Sequence, residues 1–175
     1  MKIYKKQDFK LLALAVLLFF ILKYVFTFLD NDNMLFLLKP VNILFSLFTG
    51  HIAVYDSETG YFYDRLNIII DKSCSGYNFM LMTFVLVYTG ILKYFYSTWI
   101  KYLLLPAVMI LAYVYTVFVD ISRILISYLL QRKMAFHYYW LHEVTGIFVY
   151  LFSLVSIYLL INYFLKKQTD LLCEL

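Results

Sequence analysis

Few residues in this 175-residue chain have chemistry to offer. Cys74 stands in a polar stretch, Asp71-Lys72-Ser73-Cys74-Ser75-Gly76, and a long apolar segment begins directly behind it at Tyr77. Arg123 follows Asp120-Ile121-Ser122 towards the end of another apolar segment, and His142 opens the last one. A thiol, a permanent cation and an imidazole together suit covalent catalysis. Cys74 would attack as the nucleophile, and His142 would take its proton and return it to a leaving amine. Arg123 would stabilise an oxyanion or bind a carboxylate. A neighbouring cation or a helix start lowers a thiol below its usual value of about 8.5, and Cys74, read as beginning a helix, has both within reach. Asp120, three residues before Arg123 on the same helix face, is placed to hold the guanidinium. Ser75 and Gly76 complete the mouth of the site.

Each of these residues also fits a plainer role when taken singly. A membrane cysteine is usually a small packing residue, an arginine at a span end anchors at the interface, and a histidine can simply end a helix. His51 and His137 are rival imidazoles, although Gly50-His51-Ile52 and Phe136-His137-Tyr138 read as surface positions. Cys173 falls in the tail.

The elements that must position the site are membrane helices. The chain is 64% apolar and 15% charged, against about 45–50% and about 25% in soluble domains. Its apolar runs are continuous, with only two prolines and five glycines, which points to helices and excludes the alternating ten-residue pattern of a membrane barrel. The expected fold class is all-α: one polytopic helical bundle over 1–175 with a small extracytoplasmic β-hairpin insert. Spans are expected at 11–29, 77–96, 102–119 and 143–165, each near the length of about 20 residues that crosses a bilayer. The basic head and first apolar run are read as an uncleaved first helix. The third span continues as an amphipathic helix through Leu130. Met34 to Phe48 is short and broken by Lys39-Pro40, so 34–48 is either a tilted span or, in the reading favoured here, a re-entrant or interfacial segment. The polar insert 50–73 holds a strand at Ile52–Tyr55, a turn ending at Gly60 and a return strand at Tyr61–Tyr63, then a β-branched run, Leu66–Ile70, leading to Cys74.

Basic residues near span ends set orientation. With the N-terminus cytoplasmic and 34–48 not crossing, the inner face holds Lys2, Lys5, Lys6, Lys10, Lys93, Lys101, Lys166 and Lys167, and the outer face holds Lys39, Arg65, Lys72, Arg123, Arg132 and Lys133 together with most of the acids, a modest bias. Cys74, Arg123 and His142 then meet at one depth on the extracytoplasmic side of the plasma (inner) membrane, with both termini cytoplasmic. Cys74 and Cys173 lie on opposite sides and cannot pair. No spacing of Cys and His suggests a metal site, no cofactor is called for, and the dispersed basic residues exclude a nucleic-acid stripe.

Cys74-Ser75-Gly76 at one helix start, Arg123 at a helix end and His142-Glu-Val-Thr-Gly146 at the next helix start resemble the exosortase/archaeosortase family, over about 66–165 and in the family's order. The chain is similar to small members of the exosortase K kind. Family members often carry asparagine where this chain has Asp120. The resemblance implies a membrane cysteine protease or transpeptidase with Cys74 as nucleophile, Arg123 as stabilising cation and His142 as base. It implies exported substrates with a C-terminal sorting tail like that of PEP-CTERM proteins: a short motif, an apolar span and a basic cluster. Cleavage would pass through a Cys74 thioester, and the product would be released or transferred to an acceptor the sequence does not name. A membrane transport or assembly subunit without catalytic activity is the other reading the polar cluster allows.

The charge distribution predicts Glu58 outside and Lys167 inside. Single cysteines at 58 and 167 in a cysteine-free background, treated with an impermeant thiol reagent, should label at 58 only. Labelling at 167 with protection at 58 reverses the orientation.

Overall fold

The computed structural model describes residues 6–92, 94–95, 98–134 and 139–173, with side chains for 8–92, 94–95, 99–130 and 143–167. Among the described residues five α-helices occur in chain order: α1 (Lys6–Thr27), α2 (Leu35–Thr49), α3 (Tyr77–Leu92), α4 (Thr98–Met134) and α5 (Tyr139–Cys173). Four apolar segments are long enough to cross a membrane, one each in α1, the 72–92 stretch leading into α3, α4 and α5. The chain is a helical membrane bundle, as the composition predicts.

The third span and its expected extension form one 37-residue helix, α4, with Pro106 inside it. Proline at 106 forgoes its own backbone bond but does not end the helix, because apolar side chains on both sides keep the segment packed. The last helix is also longer than the span within it, at 35 residues. α3 is the central element. In its candidate span 67% of the most apolar window is buried inside the protein, against 11%, 28% and 17% for the spans of α1, α4 and α5. It packs on all three. Large apolar side chains on the outer helices, among them Phe20, Phe118 and Phe152, are exposed, as a bilayer solvent requires.

Side-chain contacts fix the directions of the helices. At one end of the bundle Asp8 of α1 pairs with Lys101 of α4, and Tyr88 of α3 donates to the Lys101 carbonyl at 3.2 Å. At the other end Tyr77 donates to the Leu22 carbonyl, and Arg123 reaches Cys74. Tyr150 meets Asp120, while Asn162, further along α5, approaches Tyr94. α1 and α4 therefore run one way and α3 and α5 the other. The start of α1 and the later part of α5 share one end. α2 runs in the same sense as α4, with Phe36 at Tyr113 and Phe45 near Tyr128. It does not turn back alongside α1.

The insert is a three-stranded antiparallel meander, β1 (Val54–Asp56), β2 (Gly60–Tyr63) and β3 (Ile68–Ile70), in the order β1-β2-β3. The expected hairpin gains a third strand because the β-branched run pairs back on β2, with Tyr61 opposite Ile70 and Tyr63 opposite Ile68. The β1–β2 turn is closed by the Asp56 carboxylate, which accepts from the Thr59 amide and hydroxyl. Gly60 follows at φ +86°, and a Cβ there would run into the Ile70 carbonyl. Tyr63 ties the sheet to α2. Its hydroxyl donates to Asn42 Oδ1 at 2.6 Å and lies 2.8 Å from the Ser46 hydroxyl. Tyr55 donates to the Asp32 carboxylate, and that bond pushes its phenol up to about 12.

The buried Asp8–Lys101 pair predicts a defined stability pattern. Removing one partner strands a buried charge at about 3–5 kcal/mol, whereas two apolar replacements of similar volume come out near neutral. Asp8→Ala should lower the thermal midpoint in detergent, and Asp8→Leu with Lys101→Met should recover most of the loss. Equal midpoints for single and double variants would remove the pair from the fold's support.

Candidate active site

The approach to Cys74 is built by β3 and by the link between α1 and α2. Asp71 follows β3 and caps a 3-10 turn, Lys72–Cys74. Its Oδ1 accepts from the Ser73 amide at 3.1 Å, the Ser73 hydroxyl at 2.6 Å and the Cys74 amide at 3.3 Å. A side chain two residues ahead thus takes orphan amides that a helix start leaves bare. Asn31 fastens this turn from the opposite side. Its Oδ1 accepts from the Lys72 amide at 2.8 Å, and its Nδ2 donates to the Ser57 and Glu58 carbonyls of the β1–β2 turn. The Lys72 ammonium donates to the Leu29 carbonyl and lies 4.8 Å from the centre of the Phe26 ring, which stacks on Tyr77. The turn is held on both flanks before α3 begins.

Cys74 is buried, and it lies in the 3-10 turn three residues ahead of α3 rather than in the helix's first turn. Gly76 supplies the carbonyl for α3's first backbone bond, from Met80. Gly76 sits at φ +61°, and a Cβ there would fall inside the Asp120 carboxyl group. Only glycine gives both the left-handed conformation and the close approach.

α4 brings Arg123 and Asp120 to this turn. Arg123 Nη2 donates to the Cys74 carbonyl at 3.0 Å. Its guanidinium carbon lies 5.1 Å from the centre of the Tyr150 ring on α5. The expectation that Asp120 grips the guanidinium is corrected by the geometry. Among the described residues no ion pair joins them; Asp120 Oδ1 instead accepts from the Tyr150 hydroxyl at 2.7 Å. The tyrosine has taken the position between them. Gly146 of α5 faces Arg123, where a Cβ would lie 3.4 Å from Cδ. Larger side chains at 146 would crowd the arginine.

The structure thus brings together Cys74, Ser75, Gly76, Asp120 and Arg123. Position 142 is in the first turn of α5, and 142, 146 and 150 fall four residues apart on one helix face. The His142 side chain, the whole of His137 and the Cys173 side chain lie outside the described residues. His51 lines a separate cavity of about 370 Å³ with Gly50, Ile52, Tyr63, Asp64 and Arg65. Sequence reasoning gave no role to Asn31, to Gly146 beyond its place at the end of the His142 motif, or to Tyr150. For the last two, the four-residue spacing from His142 was the available signal.

Four buried side-chain polar atoms among the described residues lack a hydrogen-bond partner, and three belong to this cluster: Ser75 Oγ, Asp120 Oδ2 and Arg123 Nε. Buried polar atoms are almost always partnered, so this concentration sets the cluster apart from the rest of the described core.

A bundle of membrane helices with a small capping sheet, converging a cysteine and an arginine at one end, defines a class of membrane-embedded site. The sequence model described as "Transmembrane exosortase" matches residues 3–159. The chain belongs to the transmembrane exosortase family. No curated protein and no solved structure gives a significant match.

Gly76→Ala tests the contact between the turn and α4. Left-handed strain costs about 1–3 kcal/mol, and the carboxyl group must also move. The thermal midpoint should fall, and a second change, Asp120→Ala, should return the part due to the collision. An unchanged midpoint in Gly76→Ala would show that the close approach is dispensable.

Proposed function

We propose that this protein is a membrane cysteine peptidase or transpeptidase that cuts the C-terminal sorting tail of exported proteins. The observation that carries the reading is the Arg123 bond to the Cys74 carbonyl, which ties a cation on α4 to the thiol's own turn. Family membership supports the protein-sorting class of activity. Polar atoms of Ser75, Asp120 and Arg123 without partners among the described residues, in the cluster around the Cys74 turn, support a polar substrate group at this position.

In the proposed reaction the Cys74 thiolate attacks the scissile carbonyl, and His142 takes the thiol proton. The tetrahedral oxyanion forms beside Arg123, whose Nε is uncommitted among the described residues. Collapse breaks the C–N bond, and His142 returns the proton to the departing amine. The thioester on Cys74 then yields to water or to an acceptor nucleophile, restoring the thiol. Ser75 and Gly76 shape the turn, and Asp120 supports it.

The substrates are exported proteins whose tails carry an apolar span and a basic cluster, held in the same bilayer. The site faces the extracytoplasmic side of the plasma membrane, with both termini cytoplasmic. α2 is an interfacial or re-entrant helix on that side, and its sense, shared with α4, supports this placement.

Cys74→Ala should abolish cleavage of a tail-bearing substrate while the protein stays in the membrane, and Cys74→Ser should be nearly as damaging. His142→Ala should slow acylation severely, and adding it to Cys74→Ala should cost nothing more, because residues acting as a unit are not additive. Arg123→Lys should lose about 10²–10³-fold in rate, as for removal of an oxyanion donor. A thioester trapped on Cys74 would be direct support. Wild-type cleavage by Cys74→Ala would end the enzyme reading.

A further inference from the structure

Asp120 and Arg123 are three residues apart on α4, a spacing at which carboxylate and guanidinium ordinarily pair. Both are buried, at 0% and 7% exposure, where an unpaired charge is most costly. Yet among the described residues they form no ion pair. Tyr150 explains the separation, because it engages both groups with different parts of one side chain. Its hydroxyl donates to Asp120 Oδ1 at 2.7 Å, and its ring centre lies 5.1 Å from the Arg123 guanidinium carbon. The ring is held in turn by Phe79 of α3, stacked at 4.7 Å and 19°. The far side of the arginine is committed to the Cys74 carbonyl.

We propose that Tyr150 is a positioning residue that keeps the Asp120 carboxyl group away from Arg123, so that the guanidinium's positive charge is available to the Cys74 turn. This rests on the reading of Cys74 as nucleophile and Arg123 as its cation. A carboxylate bonded to the guanidinium would neutralise much of its field and occupy its donors. A tyrosine offers a different exchange. The hydroxyl satisfies one carboxyl oxygen, while the ring face attracts the cation without taking a donor. Asp120 then serves the fold by filling the space against Gly76, and the arginine keeps Nε for an incoming group.

Tyr150→Phe separates the two functions of the side chain. The ring, its stack on Phe79 and its place under Arg123 remain, and only the bond to Asp120 is lost. The released carboxyl group should then turn to Arg123. Two readouts follow. The first needs no substrate: the rate at which iodoacetamide alkylates Cys74 at pH 7, in membranes from a Cys173→Ser background, with Cys74→Ala as the blank. A cation near a thiol raises its thiolate fraction, so Tyr150→Phe, which lets the Asp120 carboxyl group pair with that cation, should slow alkylation about 10-fold. The second is cleavage of a tail-bearing substrate, where kcat should fall with KM unchanged. Adding Asp120→Asn to Tyr150→Phe removes the group that captures the arginine and should restore both rates to within about twofold of the Asp120→Asn single variant.

Wild-type alkylation in Tyr150→Phe overturns the proposal. So does a double variant as slow as Tyr150→Phe alone, since the tyrosine would then act through packing and not by keeping the two charges apart. The alkylation arm also separates this proposal from the function it rests on. Full cleavage by Cys74→Ala removes the peptidase reading whatever the alkylation rates show. A normal alkylation rate in Tyr150→Phe, with Cys74→Ala inactive, removes only the role of Tyr150.

Discussion

A buried arginine inside a membrane bundle has to be accounted for by everything around it. Arg123 is 7% exposed, at the end of the bundle where α3 begins. Placing a guanidinium in apolar surroundings costs several kcal/mol unless neighbours replace its water. Here the replacements come from two other elements: the Cys74 carbonyl from the turn before α3, and the Tyr150 ring of α5, with Gly146 of α5 packed close by. Each imposes a condition on its own element. The turn must present a carbonyl inward, α5 must carry a small residue one turn before an aromatic one, and α4 must stay helical through Ser122 and beyond. The turn before α3, α4 and α5 meet around one cation.

The sheet and the α1–α2 link have a related role. A 3-10 turn of three residues has little stability of its own. Asp71 satisfies it from within, while Asn31 and the Lys72 ammonium bind it to the end of α1. Asn31 joins two pieces of chain distant in sequence, the β1–β2 turn and the turn of Cys74, through one amide with both donors and its acceptor in use. The insert is therefore a brace for the thiol's turn as well as a cover over α2.

Much of this was legible in the sequence, and the reasons differ by element. Spans are dictated by solvent, so long apolar runs found α1, α3, α4 and α5 directly. Cys74, Arg123 and Asp120 stood out because polar groups at such places are costly and so need a reason. β3 was harder. Three isoleucines beside an apolar helix look the same whether they pair with β2 or merely lead to the turn, and only the register with Tyr61–Tyr63 decides. Tyr150 was hidden among 18 tyrosines, since phenol rings in a span read equally as lipid-facing or packing groups. Its hydrogen bond depends on the crossing of α4 and α5, which no local pattern encodes. Lys101 read as a loop-bracketing cation at the surface, yet it is buried against Asp8, a partner 93 residues away.

The same α4 that carries Arg123 carries Lys101, and the two buried charges are 22 residues apart. At 1.5 Å per residue that is about 33 Å of helix, close to the roughly 30 Å hydrocarbon thickness of a bilayer. Neither charge then needs to rest at the hydrophobic midplane, and the helix works as a gauge rod between the two boundaries. The turn of Cys74, held by Arg123, is thereby kept at a set height along that rod.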